Sequence, residues 1–141
     1  MKLKIIFFLI LIYSGKLSAC ECKTYPIING KSQNELFIED SMKHSSIIFY
    51  GELIKTGKFN ISKIYKGSKF INKTCEINLS DFSTMCDFYF KLNTKYLVYG
   101  TLDESGNLVT SICLANKLIK GKKDLRFIKT IFRKNRSLFS N

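Results

Sequence analysis

The sequence is poor in the residues on which many enzymes and flexible linkers depend. It has one histidine, His44, one proline, Pro26, and no tryptophan. A lone histidine beside Ser45 and Ser46 is most often a surface residue, and it cannot build a histidine-based triad or a zinc-hydrolase cluster. A single proline and the lack of repetitive tracts argue against a disordered stalk. We therefore expect a folded protein that is not an enzyme and holds no metal or cofactor of its own.

Long hydrophobic runs are also missing. The longest, Ile5–Tyr13, has nine residues, whereas a membrane-spanning helix needs roughly 20. Lysines precede this run, and the small residues Ser18 and Ala19 follow it, which is the pattern of a secretory signal peptide. We predict that residues 1–19 are removed and that residues 20–141 form one extracytoplasmic domain without a membrane span.

Acidic residues are scarce as well. The chain has 23 Lys+Arg against 11 Asp+Glu, a net charge of +12, and loss of the leader leaves 20 against 11, or about +9. Nine of the basic residues lie between Lys117 and Arg136, where Asp124 is the only acid. This segment predicts either a solvated helix face or contact with anionic lipid headgroups or polysaccharide. We do not expect nucleic acid as the partner of an exported protein.

The chain has five cysteines, which are Cys20, Cys22, Cys75, Cys86 and Cys113. Exported proteins reach oxidising compartments, where thiols usually form disulfides. Since five is odd, one cysteine must be free, intermolecular or modified. Long-range bridges between the first two cysteines and later ones would stabilise the fold by roughly 4 kcal/mol each and hold the amino terminus rigidly.

Two helices are predicted. In Lys31–Ser45, Ser32 and Glu35 have the spacing of a capping box. In Lys122–Arg136, apolar residues recur at helical spacing and Asp124 is the expected N-cap. The second helix should be amphipathic and should pack on the rest of the domain.

Five segments have the composition or the alternating pattern of strands. They are Ser46–Leu53, Lys58–Gly67, Lys73–Ser80, Lys95–Thr101 and Asn107–Cys113. The last two flank a turn that contains Gly106 and should form a hairpin. Because turns recur about every dozen residues and no βαβ rhythm is visible, we predict a mainly β fold, a small closed or partly closed antiparallel barrel.

The order of motifs resembles that of a known family. Cys20-x-Cys22 begins the mature chain, SIIFYGEL and SKIYKG follow, Cys86 precedes YLVYG, and TSIC ends at Cys113. In order and spacing this resembles the amino-terminal domain of the tissue inhibitors of metalloproteinases, over roughly Cys20 to Arg133. The resemblance implies a five-stranded OB-like barrel of the netrin type with flanking helices. The biased composition would suit a bacterial-type member of that group.

The resemblance also implies a mechanism. It pairs Cys20 with Cys86 and Cys22 with Cys113, which leaves Cys75 free. The inhibitory, zinc-chelating edge would be Cys20, Glu21 and Cys22. The free α-amine and the carbonyl oxygen of Cys20 would bind the catalytic zinc of an extracytoplasmic metalloprotease, the implied partner, and displace its water.

Some features depart from the family pattern. Its members usually have a small or apolar residue where this chain has Glu21, and a carboxylate is costly to desolvate in an apolar pocket. This disfavours typical matrix-degrading proteases as targets. The third bridge of the family's domain and its separate carboxy-terminal domain have no counterpart, and Cys75 is an addition.

The sequence LSAC, which ends at Cys20, supports a second hypothesis because it also resembles a bacterial lipobox. Lipidation would use the sulfur of Cys20 and would commonly acylate its amine, which could then not chelate zinc. Four cysteines would remain, and Cys75 could pair with Cys86 while Cys22 pairs with Cys113. The protein would then be a lipoprotein of the cell envelope that binds protein or anionic polysaccharide and inhibits nothing.

Overall fold

The computed structural model describes residues 20–26, 30–71, 76–80 and 86–139. The predicted signal peptide and Cys75 lie outside the described residues. The described elements are, in chain order, α1 (Gln33–His44), β1 (Ile47–Lys55), β2 (Lys58–Lys66), β3 (Glu76–Asn78), β4 (Thr94–Leu102), β5 (Leu108–Val109), β6 (Lys117–Leu118), α2 (Lys122–Lys134) and a final 3-10 turn (Arg136–Phe139).

The strands form a curled antiparallel sheet in the order β3-β2-β1-β4-β5. In addition, β6 pairs with β4 at Tyr96 and Leu97. The outer strands approach each other, since Leu79 and Leu108 form a parallel bridge and the Ser80 amide donates to the Leu108 carbonyl at 2.8 Å. The predicted mainly β, OB-like barrel with flanking helices is confirmed, as a partly closed barrel.

The curl of the sheet depends on close backbone approach in β1. The register between β1 and β2 shifts at Tyr50 and Gly51. A Cβ atom at Gly51 would lie 2.6 Å from the carbonyl oxygen of Asn60, which is closer than real contacts allow. Glycine therefore lets the two strands come together where the sheet bends.

The two faces of the sheet bury two separate cores. Inside the curl, aromatic rings pack edge to face, with the Phe59 centroid 5.5 Å from Phe49 and 4.9 Å from Phe90. On the outer face, Ile48 and Tyr99 belong to a second core that includes buried residues of both helices. The central strands are therefore buried on both sides, which explains why β1 reads as a continuous apolar run instead of an alternating one.

Local predictions agree with the structure in part. The capping box at Ser32 and Glu35 is present, and Gly106, with φ of 80°, lies in the turn between β4 and β5. The predicted N-cap Asp124 is wrong: Gly121 is the N-cap of α2, which begins at Lys122. Asp124 lies in the first turn of the helix, where its carboxylate instead accepts a hydrogen bond from the Lys120 amide.

The predicted third strand is present over Glu76–Asn78, and its first three predicted residues, 73–75, lie outside the described part of the chain. The predicted fifth strand is longer than the observed one, and β6 is a strand that the sequence patterns do not predict. The fifth strand ends at Val109, and the chain turns at Ile112 and Cys113, where Cys113 is bonded to Cys22.

Candidate functional site

The two amino-terminal cysteines are each bonded to a distant part of the chain. Cys20 pairs with Cys86 and Cys22 pairs with Cys113, with Cα atoms 5.4 and 5.1 Å apart. These are the pairs that the resemblance implies. We call residues 20–22 the amino-terminal edge.

The two segments that receive the bridges also contact each other. The Ile112 amide donates to the Cys86 carbonyl oxygen at 2.8 Å, and the Cys113 amide donates to the Ser111 hydroxyl at 3.2 Å. The amino-terminal edge therefore rests on one continuous support. Because both of its cysteines are bonded to that support, the edge cannot swing away from the barrel.

Glu21 lies between the two bonded cysteines and is exposed. Within the described parts of the chain, no hydrogen bond or ion pair holds its carboxylate. In the support, Ile112, which precedes Cys113, is 44% exposed. The edge and its support thus present one unpaired carboxylate and one apolar side chain to solvent.

Asn116 holds the loop that carries Cys113. Its Oδ1 accepts from the Tyr99 amide at 2.8 Å, and its Nδ2 donates to the Thr110 hydroxyl at 2.8 Å and to the Ser111 carbonyl at 2.9 Å. The Thr110 hydroxyl in turn donates to the Tyr99 carbonyl at 2.6 Å. One amide side chain therefore replaces sheet hydrogen bonds where β5 has ended, and it fixes the loop on β4.

A second set of contacts holds the residues just after the edge. The Tyr25 hydroxyl donates to Asp40 in α1 at 2.7 Å, and Lys23 Nζ approaches the same carboxylate at 3.3 Å. The Tyr25 ring packs on Phe37 with 5.9 Å between centroids. We call Lys23, Tyr25 and Asp40 the clamp, because they join the amino-terminal segment to α1.

The clamp changes the titration of its members. Burial and the hydrogen bond to Asp40 raise the pKa of Tyr25 to about 12. Partial burial acts to raise the pKa of Asp40, but hydrogen bonds from Tyr25 and Lys23 and the charge of His44 outweigh it and lower that pKa below its usual value. Asp40 is therefore ionised and Tyr25 is neutral across the physiological range.

α1 is itself tied to the segment that follows Cys113. The Ser41 hydroxyl accepts from the Ala115 amide at 3.0 Å and donates to the Phe37 carbonyl at 2.8 Å. Ser41 is 2% exposed, so this contact is shielded from water. The edge, α1 and the Cys113 loop thus form one braced unit.

The other candidates are His44 and groups of side chains that could bind a metal ion. His44 is a surface residue, as expected, with a 67% exposed side chain that lies 3.4 Å from the Asp40 carboxylate. Among the residues that the structure describes, no group of His, Cys, Asp or Glu side chains could hold a metal ion.

Sequence reasoning found the cysteines through their spacing but missed Asn116 and the clamp. An asparagine in a loop and a tyrosine 15 positions before an aspartate have no local signature, because their roles depend on contacts that only the fold creates.

No protein-family model matches the chain, and no curated protein matches it. The two disulfides are typical of proteins outside the reducing cytoplasm. None of the helices in residues 30–71 and 86–139 has the length and apolar character needed to cross a bilayer.

Proposed function

We propose that this protein, once cleaved between Ala19 and Cys20, inhibits an extracytoplasmic zinc metalloprotease. The new α-amine and the carbonyl oxygen of Cys20 would close a five-membered chelate ring on the catalytic zinc. The observation that carries the proposal is the bonding of both Cys20 and Cys22 to the barrel. A chelator that is already held in place binds without the entropy cost of being ordered.

Zinc in such enzymes has three protein ligands and a water in an open position. A neutral amine and a carbonyl oxygen can take that position, whereas a protonated amine cannot. Since an α-amine has a reference pKa of about 8, inhibition should strengthen as the pH rises from 6 toward 8 and level off above it.

Glu21 narrows the class of target. Its exposed carboxylate would enter the pocket of the protease next to the zinc, where an apolar lining would leave the charge desolvated and unpaired. A pocket that carries an arginine or lysine would instead pair with it. We therefore infer that the target has a basic or strongly polar pocket at this position.

The lipoprotein hypothesis requires a lipid on the sulfur atom of Cys20. A lipid on Cys20 would form a thioether at Sγ, and an atom that is part of the Cys20–Cys86 disulfide is not available for it. The disulfide therefore favours the inhibitor. An acylated amino terminus would reverse that preference.

The test begins with the intact mass of the mature native protein, followed by inhibition assays against a panel of zinc metalloproteases. We expect the mass of residues 20–141 with two disulfides, and inhibition by the unmodified protein. The decisive variant carries one extra alanine before Cys20, which removes the chelating amine while it leaves both bridges in place. We expect this variant to melt like the wild type and to lose inhibition.

The control variant is Glu104→Gln, which removes a carboxylate from the exposed turn between β4 and β5 and should leave inhibition unchanged. Equal inhibition by the alanine-extended protein would refute chelation through the amino terminus. A mass raised by acyl chains would show instead a lipid-anchored protein.

A further inference from the structure

One face of α2 carries a row of positive charge. Lys122, Arg126, Lys129 and Arg133 are all exposed, and their spacing of four, three and four residues places them on the same side of the helix. With a rise of 1.5 Å per residue, the row extends over about 16 Å. We call these four residues the cationic stripe.

The stripe has no acidic partner within the part of the chain that the structure describes. Two lysines near the stripe do have acidic partners. Lys117 pairs with Asp124 at 3.1 Å, and Lys134 pairs with Glu35 at 2.9 Å. The nearby carboxylates are thus already used by lysines outside the stripe, and its four charges are left to solvent.

The arrangement is unfavourable for the helix itself. Like charges three and four residues apart repel each other by a few tenths of a kcal/mol per pair. Lys122 lies in the first turn, where positive charge opposes the helix dipole. Among the described residues no carboxylate pairs with the stripe to relieve this repulsion, so an anionic partner outside the chain would complete the arrangement.

The apolar face of α2 indicates what kind of partner this is. Ile128 and Phe132 are 1% and 9% exposed, and the Phe132 ring stacks on Tyr65 with 4.2 Å between centroids. A helix that lies in a membrane surface buries its apolar face in lipid, but this face is already occupied by the barrel. The helix therefore offers charge alone.

Base stacking is also poorly supported. The one exposed ring on α2 is Phe127, and the Lys117 ammonium lies over it at 4.2 Å from the centroid. Proteins that bind single-stranded nucleic acid combine basic residues with free aromatic faces. The stripe lacks them, and the disulfides are typical of a compartment where nucleic acid is not the usual partner.

We propose that the cationic stripe binds a linear anionic polysaccharide outside the cytoplasm. A row of evenly spaced cations matches a chain of repeating sulfate or carboxylate groups, and the attraction requires no apolar contact. This inference rests on the charges of α2 and does not depend on protease inhibition.

The test uses the mature full-length protein and heparin, a linear sulfated polysaccharide, as the probe. The stripe variant is K122Q/R126Q/K129Q/R133Q. The matched control is K55Q/K69Q/K91Q/K95Q, which removes the same charge from four exposed lysines elsewhere. Binding is measured as a function of salt, and each variant is checked by circular dichroism and thermal melting.

We expect the stripe variant to bind heparin at least tenfold more weakly at 0.1 M salt and to show a shallower dependence of affinity on salt, because fewer counterions are released. The control should lose less than about threefold, by long-range attraction alone. Since glutamine removes repulsion within α2, the stripe variant should melt no lower than the wild type. If it does melt lower, the pair variant R126Q/K129Q replaces it and should lose about half as much affinity on a logarithmic scale.

An equal loss in the stripe and control variants would show that only net charge matters, and would overturn the proposal. So would tighter binding to vesicles in which about a third of the lipid is anionic, or to single-stranded DNA, than to heparin.

Discussion

The amino-terminal edge and the cationic stripe are attached to the protein in different ways. The edge is held by two disulfides, and the hydrogen bonds of Asn116 and the clamp brace it. The stripe lies on a helix that no disulfide holds: apolar residues such as Ile128 and Phe132 pack it against the barrel, and the exposed ion pairs Lys117–Asp124 and Lys134–Glu35 add to this packing.

This difference follows the range of the interaction that each surface would make. A metal chelator must be placed within a few tenths of an ångström of its geometry, whereas charges act over a screening length of about 8 to 10 Å. Covalent bracing would therefore suit the edge, where the proposed chelation depends on position, and ordinary packing would suit the stripe, where the proposed binding needs only charge.

The largest effect on stability should come from removing the Cys22–Cys113 bridge. The Cys22–Cys113 bridge spans 91 residues, and its loss in C22A/C113A should lower the free energy of unfolding by roughly 4 kcal/mol, mainly through the entropy of the unfolded chain. Urea unfolding measures this. Where the variant is still folded it should lose protease inhibition and keep heparin binding.

Ile112→Ala is the control for that variant, because it changes an exposed neighbour and keeps both bridges; we expect a change below about 1 kcal/mol. Retained inhibition by folded C22A/C113A would mean that the edge needs no brace.

The second largest effect on stability should come from disturbing the packing of α2 on the sheet. Ile128 is 1% exposed, and Ile128→Ala should lower the free energy of unfolding by about 3 kcal/mol, since it leaves a cavity between α2 and the sheet. Phe127→Ala, at a 36% exposed position in the same helix, should cost less than about 1 kcal/mol. Equal losses in urea unfolding would contradict the packing described for α2.

The smallest effect should come from the clamp. Because the pKa of Asp40 is lowered in the folded state, its carboxylate stabilises the protein above the pKa of the unfolded chain, and this stabilisation is lost as pH falls through the lower folded value. Asp40→Asn keeps an acceptor for Tyr25 but removes the charge.

We expect Asp40→Asn to be less stable than the wild type by about 1 kcal/mol at pH 7 and equally stable near pH 2, in thermal melts from pH 2 to 7. Glu104→Gln should follow the wild-type curve throughout. A constant difference between Asp40→Asn and the wild type at every pH would show that the charge of Asp40 plays no part.

Local signals in the sequence predicted local structure well. Ser32 and Glu35 are three residues apart, so the capping box that starts α1 depends only on neighbours. The hairpin at Gly106 depends on a residue that tolerates positive φ. The barrel could be inferred because the strand pattern and the spacing of cysteines agreed.

Two predictions about local structure failed, the N-cap of α2 and the absence of a strand at β6. Asp124 has the side chain of an N-cap, yet the N-cap of α2 is Gly121, three residues earlier. Asp124 lies in the first turn, where it accepts a hydrogen bond from the Lys120 amide and pairs with Lys117. The short strand β6 forms because Leu118 meets Tyr96 of β4, and two residues alone have no detectable strand pattern.

The sequence by itself determined the charge excess, the number and spacing of cysteines, and the turns and caps that a few adjacent residues encode. Only the tertiary structure decided which charges remain unpaired and which polar groups brace the edge. Lys134 is neutralised by Glu35, which lies 99 positions earlier, while Arg133 beside it is not. The reason is physical: pairing depends on distance in space, and the fold alone brings such remote groups together.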